Sequence, residues 1–121
     1  MSVNIAHYSQ KLFENDQWEW VELAFPVDNV IRLERGQDIS HLENVVLMMP
    51  VCSNAFTPTI NLKDYVHPDD VTYLFGSDHF IMNEEDLPFK DCDVVYVEAD
   101  REMWSFQAGL ITLYDRRIKR G

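Results

Sequence analysis

Apolar positions along the chain follow two rhythms, and each predicts a different kind of element. ENVVLMMPV (43–51), VTYLF (71–75) and DVVYVEA (93–99) are almost continuous apolar runs. That pattern belongs to strands covered on both faces. From Asp100 the rhythm changes. Met103, Phe106, Gln107, Leu110, Ile111 and Tyr114 recur at steps of three and four, which predicts a final amphipathic helix.

The first half is less regular. Residues 2–9 read as a strand and 10–16 as a short helix. WEWVELAF (18–25) alternates and then turns mostly apolar, which suits a strand. Pro26 and Asp28 mark a turn, with Asp28 placed to cap a short helix through about Arg35 and Gly36 to end it. Residues 52–69 form an irregular connection closed by the His-Pro-Asp-Asp turn at 67–70. NEEDLPF (83–89) suits one helical turn, its acids forming a solvated helix start.

Buried strands interleaved with helices predict an α/β domain with a mainly parallel sheet flanked by helices. The chain of 121 residues holds one such domain, 1–121. Ligands bind such sheets beyond the carboxyl ends of the strands. Pro50, the Gly76 corner and the Val97–Asp100 corner are expected on that rim. Glycine at position 76 lets the main chain approach a ligand with no Cβ in the way. A plain turn glycine is the competing reading.

Charge narrows the classes of partner. Twenty-one acids face ten bases, for a net of −11. Four of the bases stand together as Arg116, Arg117, Lys119 and Arg120. Residues 1–115 therefore carry 21 acids and 6 bases, a net of −15. Such a surface repels a phosphate backbone, so RNA is disfavoured except through that terminal cluster. The simpler reading of the cluster is compensation of the helix dipole. No apolar run reaches the roughly 18 residues of a membrane span, and residues 1–10 show no secretory pattern. A cytoplasmic protein is expected.

Cys52 and Cys92 match no metal or redox spacing and read as buried thiols in a reducing compartment. His7, His41, His67 and His79 show no ligand spacing, so no metal is expected. Asp78 and His79 are adjacent, a weak arrangement for acid–base work because neighbours point apart.

Three segments in order, INLKDYVHPDDVTYLFGSDH (60–79), DCDVVYV (91–97) and AGLITLYDRR (108–117), resemble the C-terminal half of SpoU/TrmH-type RNA 2′-O-ribose methyltransferases of the SPOUT superfamily. The resemblance spans about residues 60–118. It implies a C-terminal trefoil (α/β) knot, in which the last strand and helix thread through a preceding loop. It implies S-adenosylmethionine held by main-chain groups of three loops, carried over here to Gly76, Val97 and Met103. It also implies a homodimer packed through the C-terminal helix, where Met103, Trp104, Phe106 and Leu110 spread apolar surface over more than one face.

The chain departs from the family pattern at several places. Phe80 stands where a glycine is usual, Asp78 where a Glu is usual, and Trp104 where an Asn helps build the active site. Trp104 either fills the cofactor space or stacks on an adenine or a base. The N-terminal motif of strand, Asn-Gly and Arg has two placements. One sets 21–25 as its strand with Asn29 and Arg32 as the pair and Val30 in place of glycine. The other makes 21–27 a later edge strand and loses the motif. Under the first, Arg32 is the candidate catalytic residue; under the second it is a solvated helix residue.

The resemblance implies an S-adenosylmethionine-dependent RNA ribose methyltransferase. The departures favour a reduced member that binds S-adenosylmethionine, S-adenosylhomocysteine or a protein without catalysis. Without the resemblance, the chain reads as a small acidic interaction protein.

Overall fold

Six parallel strands form one sheet in the order β2-β1-β5-β3-β6-β4 in the computed structural model. The structure describes residues 1–8, 12–50, 59–76, 88–89, 91–101 and 103–120. The strands are β1 (Val3–His7), β2 (Asn29–Arg32), β3 (Val45–Pro50), β4 (Ile60–Asn61), β5 (Val71–Phe75) and β6 (Asp93–Val97). Among the described residues two helices accompany them, α1 (Leu12–Ala24) and α2 (Ser105–Arg120). The α/β class and the parallel sheet expected from the apolar runs are present.

The central strands are apolar on both sides because both faces are covered. Ile5, Val46, Met48, Val71, Tyr73, Phe75, Val95 and Val97 face one core with Trp18 and Val21 of α1 and Leu113 of α2. Their alternating neighbours Ala6, Val45, Leu47, Met49, Leu74 and Val94 face a second core. The irregular segment after β2 covers that second face with Leu33, Ile39 and Leu42. Gly36, at φ +88°, makes the turn within that segment.

Two expectations for the first half are overturned. Residues 18–25 are helix to Ala24, not strand. Trp18, Val21 and Phe25, at steps of three and four, supply its sheet-facing stripe. Trp20 and Leu23 lie exposed on the outer side, and their extra apolarity made the run look like a strand. Both placements of the N-terminal motif therefore lose their strand. The segment from Asp28 to Arg35 is not a helix either. Asn29–Arg32 is edge strand β2, parallel to β1. The Asp28 carboxylate accepts the Val3 N–H at 2.7 Å and fastens two strands instead of capping a helix.

The connection before β5 contains β4 and a 3-10 turn over Leu62–Asp64. Asn61 caps that turn by accepting the Lys63 N–H at 3.1 Å. The last helix begins at Ser105, not at Asp100. No helix among the described residues is long and apolar enough to cross a membrane. The reading of 83–89 as a helical turn lies mostly outside the described residues.

Candidate functional sites at the two ends of the sheet

Parallel register brings the carboxyl ends of the strands to one rim. Arg32 stands opposite His7 and His7 opposite Phe75. Phe75 is opposite Met48, and Pro50 is opposite Val97. Neighbouring strands lie about 4.8 Å apart. Gly76 and Val97 therefore flank the end of β3, and Arg32 is two strands from Phe75 on the other side.

Two of the three cofactor positions read from the sequence, with Met103, come to this rim through a polar tie. The Ser105 hydroxyl donates to the Gly76 carbonyl at 2.7 Å. The start of α2 is thus held at the end of β5, across β3 from the end of β6. Val97 is buried, so its side chain belongs to the core. Met103 is half-buried and packs on the same core. It lies just before α2 instead of on it.

Trp104 starts α2 as its N-cap residue. Its carbonyl accepts the N–H groups of Gln107 and Ala108, and the Gln107 side chain reaches back to accept the Trp104 N–H at 2.8 Å. The indole is 48% exposed and lies 5.8 Å from the Phe106 ring. Asp78, His79 and Phe80, and the acids at 84–86, lie outside the described residues, as does Cys52. Cys92 carries a reduced thiol and is half-buried against the second core.

His7 was not anticipated at the rim. Its ring is buried and stacks on Trp18 with centroids 4.8 Å apart and planes at 11°. Burial first, and the Arg32 charge second, lower its pKa from 6.5 to about 4. It is therefore neutral at pH 7. Arg32 itself is exposed at the edge of the sheet. Gln17 is buried beside Trp18 in sequence, and nothing in the structure explains why its side-chain oxygen lacks a donor among the described residues.

The opposite end holds a denser polar cluster. His67 and Tyr73 are buried, and Asp115 and Arg116 reach them from α2. One ring nitrogen of His67, Nδ1, lies 2.6 Å from the Tyr73 hydroxyl, and the other, Nε2, lies 2.7 Å from Asp115 Oδ2. Arg116, only 7% exposed, donates to the Pro68 carbonyl at 2.6 Å, to the Tyr73 oxygen at 3.2 Å and to the Asp69 carbonyl at 3.2 Å. Lys119 donates to the carbonyls of Leu62 and Tyr65 at 2.5 and 2.9 Å and pairs with Asp115 at 2.8 Å. Arg120 donates to the His67 carbonyl at 2.9 Å and pairs with Asp69.

The terminal cations thus satisfy main-chain carbonyls of residues 62–69. Neither reading of the cluster from the sequence anticipated this. Only Arg117 of the four has no such contact among the described residues. Asp115, His67 and Tyr73 stand in the order of an acid–base–hydroxyl relay. Tyr73 is 0% exposed, however, so no reactant reaches its oxygen and the relay is structural. Burial raises the Tyr73 pKa, with Arg116 opposing. A concavity of about 410 Å³ lies beside the cluster, bordered by Lys63, Tyr65, His67, Lys119 and Arg120. Among the described residues no three His, Cys, Asp or Glu side chains gather as a metal site.

The signal for this cluster was present but not periodic. The quoted segments contain His-Pro, Tyr73 and Asp-Arg, and they meet here. A network of four polar residues from two separated segments, three of them buried, leaves no rhythm in the sequence. The chain matches no protein-family model, no curated protein and no solved structure.

Proposed function

We propose that the carboxyl rim binds S-adenosylmethionine and that the protein is a reduced S-adenosylmethionine-dependent RNA ribose methyltransferase. The observation that carries this reading is the 2.7 Å hydrogen bond from Ser105 to the Gly76 carbonyl. It holds the start of α2 against the end of β5, beside the end of β3, where a cradle of peptide groups can form. The half-exposed indole of Trp104 beside it offers a stacking face for an adenine or a base. A trefoil knot through the 98–104 region is part of the same reading.

The bound sulfonium would supply an electrophilic methyl group. This chain's part is to hold it in line with a ribose 2′-oxygen, so most of the acceleration is positional. Arg32 is on the same rim and cannot accept a proton. Its role is to anchor an acceptor phosphate or to stabilise the oxygen as the hydroxyl proton leaves to water. His7, neutral and buried, keeps the neighbouring strand end free of a second positive charge.

A second reading has its own support. The net of −11 and the commitment of Arg116, Lys119 and Arg120 to carbonyls of residues 62–69 favour a protein that binds the cofactor or its demethylated product and transfers nothing. Calorimetry with S-adenosylmethionine and S-adenosylhomocysteine, followed by labelled-methyl transfer to bulk tRNA and rRNA, separates the two. Binding with transfer supports the enzyme, and binding without transfer supports the second reading. No binding of either form leaves a small acidic interaction protein.

Homodimerisation belongs to the same proposal, on a corrected surface. Phe106 and Leu110 pack on the core. The exposed apolar side chains are Trp104, Ile111, Tyr114 and Ile118 on α2, with Trp20 and Leu23 on α1. Ile111, Tyr114 and Ile118 recur at steps of three and four and so share one outer face.

A further inference from the structure

We propose that neutral His67 is a proton-operated latch that holds the last turns of α2 against the segment leading into β5. The argument begins with who can donate. A guanidinium only donates, so the Tyr73 oxygen accepts from Arg116. Tyr73 has one proton, and it goes to His67 Nδ1. Nδ1 must then be bare, and Nε2 carries the ring proton and donates it to Asp115. The network is complete only with a neutral ring in that tautomer.

A second ring proton breaks this order. Nδ1–H would face the Tyr73 O–H, and the hydroxyl would have to turn its proton away from the ring within a fully buried side chain. It would also place a cation among cations. From α2, Arg116, Lys119 and Arg120 face the cluster against the single carboxylate of Asp115. From β5 comes Tyr73. On the ring's own segment Tyr65 packs edge-on at 5.3 Å, its hydroxyl donating to Asp93 of β6 at 2.7 Å, and Asp69 pairs with Arg120. Burial dominates and lowers the His67 pKa; Asp115 opposes it, and Lys119 and Arg116 add to it.

The elements that His67 joins are tied to each other at this end through side chains of α2. Residues 62–69 form one 3-10 turn and extended chain, and their carbonyls at 62, 65, 67, 68 and 69 are all capped from α2. Protonation therefore loosens 62–70 and 115–120 together, while β3 and β5 stay paired. The inference does not depend on the proposed methyl transfer.

Amide hydrogen exchange on the full chain, corrected for intrinsic rates, tests this at pH 7 and pH 5. Protection in 62–70 and 115–120 should fall at least tenfold more than in β3 and the centre of β5, and His67→Gln should abolish the difference. Should that variant not fold, the ring nitrogen shifts of the wild type decide, with the Nε2–H tautomer expected at pH 7. An Nδ1–H tautomer, an unchanged local protection, or an even loss across the sheet would overturn the proposal.

Discussion

The indole of Trp18 occupies the space that a side chain on Gly109 would need. A Cβ built at Gly109 would lie 2.6 and 2.8 Å from two ring carbons of Trp18, well inside the 3.5–4.0 Å at which carbon atoms attract. The ring cannot withdraw, because it is stacked on His7 and sits 5.0 Å from the Phe75 ring. Gly109→Ala gains about 1 kcal/mol of helix propensity but overpacks a fixed ring at about 1–3 kcal/mol. The expected outcome is a net loss of about 1 kcal/mol in urea unfolding. Pairing it with Trp18→Phe should recover part of that loss, and full additivity of the two would show that the contact is not what limits position 109.

Arg116 and Arg117 carry the same charge and sit side by side in sequence, yet removing them has different consequences. Arg116→Ala strips donors from Pro68, Asp69 and Tyr73 and should cost about 3 kcal/mol. Arg117→Ala should stay within about 0.5 kcal/mol. Denaturant midpoints of the two variants check this. Equal midpoints, with an equal weakening of binding to RNA, would return the cluster to a nucleic-acid role.

Acid sensitivity follows from His7. Its folded pKa of about 4 lies below the unfolded 6.5, so the unfolded chain takes up the proton more readily. The stabilisation is complete above pH 6.5 and is lost as pH falls toward 4. Between pH 7 and pH 4.5 the loss is about 2 kcal/mol for this residue. His7→Phe keeps a ring on Trp18 and removes the titration, so its stability should change less over that interval. Parallel pH profiles for the two proteins would remove His7 as the cause.

The outer face of α2 gives a direct test of association. Sedimentation of the wild type at micromolar concentration should show a dimer, and Ile111→Glu, which introduces a charge on an exposed position without touching either core, should show a monomer. A wild type that sediments as a monomer would rule out the dimer.

The second half of the chain was far more legible than the first, for a physical reason. β5 coincides with VTYLF, and β3 and β6 fall within their apolar runs, because a strand buried on both faces carries its signal in every residue. α1 has one buried stripe and two exposed large apolar residues, Trp20 and Leu23, which cancel the contrast on which periodicity depends. β2 is four residues at an edge, mostly exposed or half-exposed, and Asp28 is as good a helix cap as a strand fastener. Pro50, Gly76 and Val97 could be placed near one rim because strand ends follow from strands. The His67–Asp115 pair could not, because its partners are 48 residues apart and neither sits in a pattern that marks burial.

The order of the sheet bears on how the chain is made. β3 has β5 and β6 as its two neighbours, and β4 pairs with β6, so β3 and β4 leave the ribosome before the strands that flank them exist. Trp18 is synthesised well before Gly109 and waits for α2 to close over it. Vectorial synthesis therefore exposes sticky strand edges and an uncovered indole until α2 has been made. Production of the intact protein should respond more to holding chaperones and slowed elongation than the modest size of the domain would suggest.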